Sequence, residues 1–241
     1  MKGVVIVGGQ GTRMQPFTRG INKHLLPIGP WPMFFWPLRT LAQAGVRETI
    51  IVCGGKTPGA FMEIAGQVQF GMRLSYTYQQ EPLGICDALK CAKQFAEDAP
   101  EVMLLLGDTL LDAPLPFEYG VGGAAIIAQE VPDPQRCAVL EFGFRNDLQG
   151  IIEKPPVPPS QWGVLGAYLF DWQVWDWLEE LQPSARGQYE VTDLHRLYLQ
   201  RKQLRWHEYT GQYADAGTMD GYRRANQIAW EITDQCQRES S

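Results

Sequence analysis

Val4-Val5-Ile6-Val7-Gly8-Gly9-Gln10-Gly11-Thr12-Arg13 is the stretch from which the fold can be read. Four consecutive β-branched residues make a short buried strand. The glycines that follow let backbone N–H groups crowd around an anion. Arg13, and then Lys23 in Asn22-Lys23-His24-Leu25-Leu26-Pro27-Ile28, bring two cations to the same loop. A strand that delivers glycine amides, an arginine and a lysine to one point is suited to a polyphosphate, so Gly8, Gly9, Gly11, Thr12, Arg13 and Lys23 are candidate nucleotide ligands. Two common phosphate loops do not fit. The string Gly-x4-Gly-Lys-Ser/Thr is missing, and Met14 stands where a dinucleotide fingerprint needs its third glycine.

Outward from this loop, strands alternate with helices. Thr49 to Cys53, Leu74 to Gln79 and Val102 to Leu106 read as strands. Helices are expected from Pro32 through Leu41, with Pro37 disturbing the first turns, and from about Leu83 to Phe95. This alternation predicts an α/β fold: a single-domain, Rossmann-like three-layer αβα sandwich with a mainly parallel mixed central sheet. Ala124 to Gln129, Ala138 to Phe142, Ile151-Ile152 and Val164 to Phe170 then follow with little helix between them, which predicts a small antiparallel excursion. Val174 to Leu181 and Val191 to Gln200 read as helices. The expected division is a nucleotide-binding half over 1–110, a second half over 111–217 and a closing helix over 218–237.

The chain has 241 residues, 45% of them apolar, enough for a substantial core. A formal net charge of −6 argues against nonspecific binding to nucleic acid or an anionic membrane, while leaving room for a locally built phosphate site. The five scattered cysteines form no C-x-x-C pair, which suits reduced packing thiols better than disulfides or zinc. The chain enters a strand at once and has no long apolar run, so the expected location is the cytoplasm and no membrane partner is expected.

Asp108 follows the fourth of these strands, Val102 to Leu106, and a glycine, a position from which a carboxylate can hold Mg²⁺ beside phosphates. Asp215 precedes a helix and reads equally well as a cap or as a second metal ligand. In Glu153-Lys154-Pro155, the lysine offers a charge to a phosphate and the glutamate accepts from hydroxyls. Arg186 is a further loop cation. His24, His195 and His207 are too far apart for a metal motif, and His195 on an amphipathic helix reads as structural.

These residues fall in eight motifs: GGQGTRM from Gly8, NKHLLPI from Asn22, WPMFFWPL from Trp31, QQEPLG from Gln79, LLLGD from Leu104, EKP from Glu153, PSARGQYEVTD from Pro183 and DAGT from Asp215. In that order and spacing, the chain resembles the sugar-1-phosphate nucleotidyltransferases, most of all the short glucose-1-phosphate thymidylyltransferases. The resemblance implies that Arg13 and Lys23 act on the triphosphate, and that Gln79, Pro82 and Gly84 surround the base. It implies Mg²⁺ between Asp108 and Asp215, and Lys154 and Arg186 on the sugar phosphate. Ala138, Glu153 and Val164 would face the hexose. The implied partners are a nucleoside triphosphate, dTTP first, and a sugar 1-phosphate, with the protein a monomer or small homo-oligomer. UTP or another triphosphate is the alternative, and a catalytically weak nucleotide-sensing or assembly subunit is the alternative of another class.

The chain also departs from the family pattern. Cys137-Ala138 stands where Tyr-Gly is usual, which should reshape the sugar pocket. Val7 replaces an alanine and Trp31 a lysine. Little sequence follows the helix after Thr218, so the C-terminal extension that builds a tetramer and a regulatory nucleotide site in longer relatives is expected to be missing.

Overall fold

The computed structural model describes residues 1–9, 11–55 and 57–239. Its strands, in chain order, are β1 (Lys2–Val7), β2 (Pro27–Ile28), β3 (Trp31–Pro32), β4 (Glu48–Gly54), β5 (Val68–Gln69), β6 (Met72–Gln79), β7 (Glu101–Leu106), β8 (Thr109–Leu111), β9 (Ala124–Glu130), β10 (Ala138–Phe142), β11 (Leu148–Glu153), β12 (Trp162–Asp171), β13 (Leu204–Glu208) and β14 (Tyr213–Asp215). The helices are α1 (Phe35–Gln43), α2 (Pro58–Ala65), α3 (Ile85–Ala96), α4 (Val174–Glu180), α5 (Val191–Gln200) and α6 (Met219–Glu239).

The apolar run Val4 to Val7 sits in the middle of the sheet, flanked in parallel by β4 and β7, with β6 parallel beyond β4. Being covered on both faces, these strands are apolar throughout rather than alternating. Val4, Ile6, Val52 and Leu104 pack under α3, α4 and α5. Val5, Val7, Ile51 and Leu105 pack on the opposite side under α1 and α2. That is the expected three-layer sandwich. The antiparallel excursion joins the same sheet through β12, which runs antiparallel to β7, β9 and β10. A third cluster seats α6 over Met14, Ile28, Trp36 and Ala214.

Several boundaries differ from expectation. The first helix starts at Phe35 rather than Pro32, because Trp31–Pro32 pairs with Pro27–Ile28 as a small ribbon. Pro37 falls in that helix's first turn, where an N–H donor would have no intrahelical acceptor, so its missing N–H causes no break. Helix α2 and strands β8, β13 and β14 were not anticipated. Trp31 packs against Trp36 and, edge to face, against Phe70, with ring centroids 4.9 and 5.3 Å away. Among the described residues no disulfide joins the cysteines. Among the described residues no helix is long and apolar enough to cross a membrane.

His195 is 1% exposed, packs against the rings of Tyr168 and Phe170, and finds no hydrogen-bond partner for either nitrogen. Burial lowers its pKa to about 3. His24 is also lowered to about 3, by burial and then by Lys23. Both rings are therefore neutral when folded and take up a proton near pH 6.5 when unfolded. Their contribution to stability is complete above pH 6.5 and is lost as pH falls from there toward 3, at about 1.4 kcal/mol per pH unit for each ring. His195→Leu should raise the melting temperature more at pH 5 than at pH 8, as thermal melts at the two pH values would show. An equal change at both would remove His195 from this account.

Candidate active site

The glycine loop is held from below. Met14 is fully buried beneath α6, which by its size stabilises the loop by about 1.5–3 kcal/mol, and Thr18 Oγ1 donates to the Gly11 carbonyl at 2.7 Å. Gly11 has φ 65°, a left-handed backbone that starts the short 3-10 turn Thr12–Met14. Gly8 passes so close to Gly54 at the end of β4 that a Cβ on Gly54 would lie 2.9 Å from Gly8 Cα. Gln10 lies outside the described residues. Asn22 fastens the second loop: its Nδ2 donates to the Val7 carbonyl at 2.9 Å, and its Oδ1 accepts from His24 N at 3.0 Å. The neutral His24 ring adds a contact to the Val7 carbonyl at 3.0 Å.

Lys23 is thereby set in a buried position, and its Nζ donates to Asp108 Oδ2. A two-stranded antiparallel ribbon, β8 with β14, brings Asp215 to the same place by pairing Asp215 with Thr109. The Ala216 N–H donates to the Asp108 carbonyl at 2.9 Å and closes the ribbon. Asp215 is therefore a ribbon-end carboxylate, 107 residues along the chain from Asp108, rather than a simple helix cap. Gly217 is where the three charges meet. A Cβ there would lie 2.5 Å from Asp108 Oδ2, 2.9 Å from Asp215 Oδ1 and 3.0 Å from Lys23 Nζ.

The two carboxylates titrate in opposite directions. Burial opposes ionisation of Asp108, but Lys23 and then His24 outweigh it and hold the carboxyl down at about 2. Asp215 is pushed up, by burial first and by the Asp108 charge second. Lys23 thus satisfies one of the two anions and leaves the other short of positive charge. Two hard oxygen donors with unbalanced negative charge fit Mg²⁺, which takes one or two carboxylates and completes its shell with phosphates and water. Among the described residues no cluster of three or more His, Cys, Asp or Glu side chains is placed to hold a metal, so a softer, protein-saturated site is not indicated.

A cavity of about 230 Å³ opens beside this pair. Its walls carry Arg13, Asp108, Ala138, Glu153, Lys154, Val164 and Asp215, all singled out from the sequence, together with Arg136, Gly166, Tyr168 and Tyr213, which were not. Gly166 is required by space alone, since a Cβ would lie 2.2 Å from Thr109 Oγ1. The β12 register slips between Val164 and Tyr168, which turns this segment toward the cavity.

Ala138 faces Glu153 across the β10–β11 ladder, so its methyl group reaches the cavity where a glycine would not. Lys154 has φ 44°, an unusual left-handed backbone for a residue before proline, at a cost of about 1–3 kcal/mol. It is held there by its N–H to the Cys137 carbonyl at 3.0 Å.

Glu153 is the hub of the far wall. Lys154 Nζ lies 2.8 Å and Arg186 Nη2 3.1 Å from its Oε1, and Thr192 Oγ1 donates to its Oε2 at 2.6 Å. Burial opposes ionisation of Glu153, but the hydrogen bonds from Lys154 and Thr192 prevail and lower its pKa. Arg186 joins the site through this pair and through Glu190 at 2.8 Å, without lining the cavity.

The base-side candidates form a separate group. Gln79, at the end of β6, is buried and lies against Gly8, while Gly84 (φ 113°) packs on the Tyr189 backbone with no room for a Cβ. Gly9, Thr12 and Pro82 are exposed at the rim, outside the cavity wall. Glycines 166 and 217 and the buried Thr192 left no signal beyond their place in or near motifs, because their roles are defined by distant backbone.

Over residues 2–231 the chain matches the Nucleotidyl transferase family. It belongs to that family. Among its relatives is the glucose-1-phosphate thymidylyltransferase of Neisseria gonorrhoeae, 36% identical over 214 residues that cover 83% of this chain and 72% of the relative. The enzyme of the same name from Mycolicibacterium smegmatis is 38% identical over 212 residues, covering 85% and 73%. A solved Bacillus anthracis protein, provisionally described as a glucose-1-phosphate thymidylyltransferase in complex with a sucrose, superposes with a TM-score of 0.88 at 35% identity, covering 95% of each chain. A UDP-glucose pyrophosphorylase complexed with UDP-glucose shares the fold at TM-score 0.81 and 19% identity. The nucleotidyltransferase fold and the resemblance drawn from the motifs therefore hold, and the chain is a sugar-1-phosphate nucleotidyltransferase.

Proposed function

We propose that this nucleotidyltransferase joins a hexose 1-phosphate to the α-phosphorus of dTTP, with Mg²⁺ held between Asp108 and Asp215. The observation that carries this reading is the convergence of Asp108, Asp215 and Lys23 at Gly217, with the two aspartates on the wall of a cavity that Glu153 and Lys154 also line. A phosphate oxygen of the sugar phosphate bonds to the α-phosphorus, the bond from that phosphorus to the bridging oxygen breaks, and pyrophosphate leaves with its electron pair. The nucleophile is already ionised near pH 7, so the site needs no general base, and neither buried histidine provides one.

The obstacle is repulsion between two anionic substrates, which cations and alignment overcome. Arg13 and Lys23 stand on the triphosphate side, Lys154 and Arg186 on the sugar-phosphate side. When bound, Mg²⁺ supplies charge neutralisation and a template for the triphosphate oxygens. Holding both reactants in line can remove about 7–11 kcal/mol of barrier. Glu153, fixed by Thr192, is placed to accept from hexose hydroxyls, and Gln79 with Gly84 to border the base.

The Ala138 methyl narrows the hexose side. Ala138→Gly should improve kcat/KM for glucose 1-phosphate several-fold with the triphosphate KM unchanged. Steady-state kinetics with each substrate varied would test this, and an unchanged kcat/KM would mean that residue 138 does not shape the sugar pocket.

A further inference from the structure

Gln79 is 6% exposed, and its amide is held in one orientation. The Nε2 atom donates to the Gly84 carbonyl at 3.0 Å and to Asp87 Oδ2 at 2.7 Å. A glutamine amide nitrogen carries two hydrogens and no acceptor, so both donors are committed. The amide oxygen is thereby turned the other way, toward the nucleotide loop, where it would lie 3.2 Å from a Cβ on Gly8. A half-turn of the amide would point its oxygen at a carboxylate and a carbonyl, three acceptors with no proton among them. The Gly84 carbonyl is backbone. Asp87, in the first turn of α3, is the side chain that fixes the choice.

We propose that Asp87 is a positioning residue for base selection: by holding Gln79 Nε2 it makes Gln79 present an acceptor, and no donor, to the nucleotide. A pyrimidine whose N3 carries hydrogen, thymine or uracil, can donate to that oxygen. Cytosine, whose N3 is itself an acceptor, cannot. The inference rests on the proposed placement of the base beside Gln79, and it adds a residue that touches neither substrate.

The test is calorimetric binding of dTTP and dCTP to the full chain as wild type, Asp87→Ala and Asp87→Asn. Wild type should prefer dTTP by about tenfold or more, and Asp87→Ala should shrink that ratio by about tenfold as Gln79 becomes free to turn. Asp87→Asn keeps an acceptor for Nε2 and should restore the ratio, with the KM for the sugar 1-phosphate unmoved in both variants. A full ratio in Asp87→Ala would overturn the role of Asp87 alone. A wild type that binds both nucleotides equally would overturn the proposal and the base placement together. Should Asp87→Ala not fold, wild type with N3-methyl-dTTP decides: about tenfold weaker binding than dTTP supports an acceptor-only Gln79, and equal binding overturns it.

Discussion

Gly217→Ala is expected to lower turnover by about a hundredfold or more while leaving the melting temperature within a few degrees of wild type. The backbone at Gly217 is not left-handed, so alanine brings no conformational strain of its own. Its Cβ would instead stand 2.5 Å from Asp108 Oδ2 and 2.9 Å from Asp215 Oδ1. Both atoms are the outer ends of side chains, each held by a hydrogen bond but able to swing aside without moving backbone, which is why the fold tolerates the change. Under the proposed mechanism the chemistry does not, because two carboxylates displaced by about 1 Å would no longer share one cation or align one phosphate. The backbone N–H of Gly217 also donates to Asp215 Oδ1 at 2.8 Å, so any local shift moves the same carboxylate twice over. Turnover near wild type in Gly217→Ala would show that the carboxylate pair is not where the reaction is organised.

Asp108→Asn should cost about a thousandfold or more in Mg²⁺-dependent turnover, since it keeps the shape of the side chain and removes the charge that pairs with Lys23 and that the proposed metal would use. It should also destabilise the protein, because Lys23, its side chain only 10% exposed, is left without a full counter-charge. A second readout separates the metal role from simple destabilisation. The Asp108 charge is one of the two causes that push Asp215 up, so in Asp108→Asn the Asp215 carboxyl should move back toward its ordinary range. Titration of the Asp215 carboxyl by NMR would follow that shift. Near-normal Mg²⁺-dependent turnover in the variant would refute the role given to Asp108.

The local pattern carried more of this molecule than its long-range pairing. The strand Ala138–Phe142 and the helix Val191–Gln200 end where their apolar periodicity ends, and the central run Val4 to Val7 lies in the middle of the sheet as its β-branched sequence demands. Legibility failed where three-residue strands meet across the chain. Thr109–Leu111 and Tyr213–Asp215 are too short to show a period, and their pairing alone makes Asp215 a partner of Asp108. From its neighbours, Asp215 looked as much like a helix cap.

Helix α2 was hidden by Pro58-Gly59 at its start, although proline there fills a position that needs no N–H partner. The roles of Asp87 and Thr192 were equally out of reach. Each acts through one hydrogen bond to a motif residue, Gln79 or Glu153, and no spacing rule announces such a bond. The charged residues that line the cavity, Arg13, Asp108, Glu153 and Lys154, stood out in the sequence because a phosphate site would need those residue types beside glycine loops and strand ends.

Pyrophosphate release from dTTP and glucose 1-phosphate, with and without Mg²⁺ and against a panel of other triphosphates and sugar 1-phosphates, tests the central claim most directly. The account predicts Mg²⁺-dependent release with dTTP and at least one hexose 1-phosphate, abolished in Asp108→Asn. Silence across the whole panel from protein that binds nucleotide would contradict it and favour a nucleotide-sensing role.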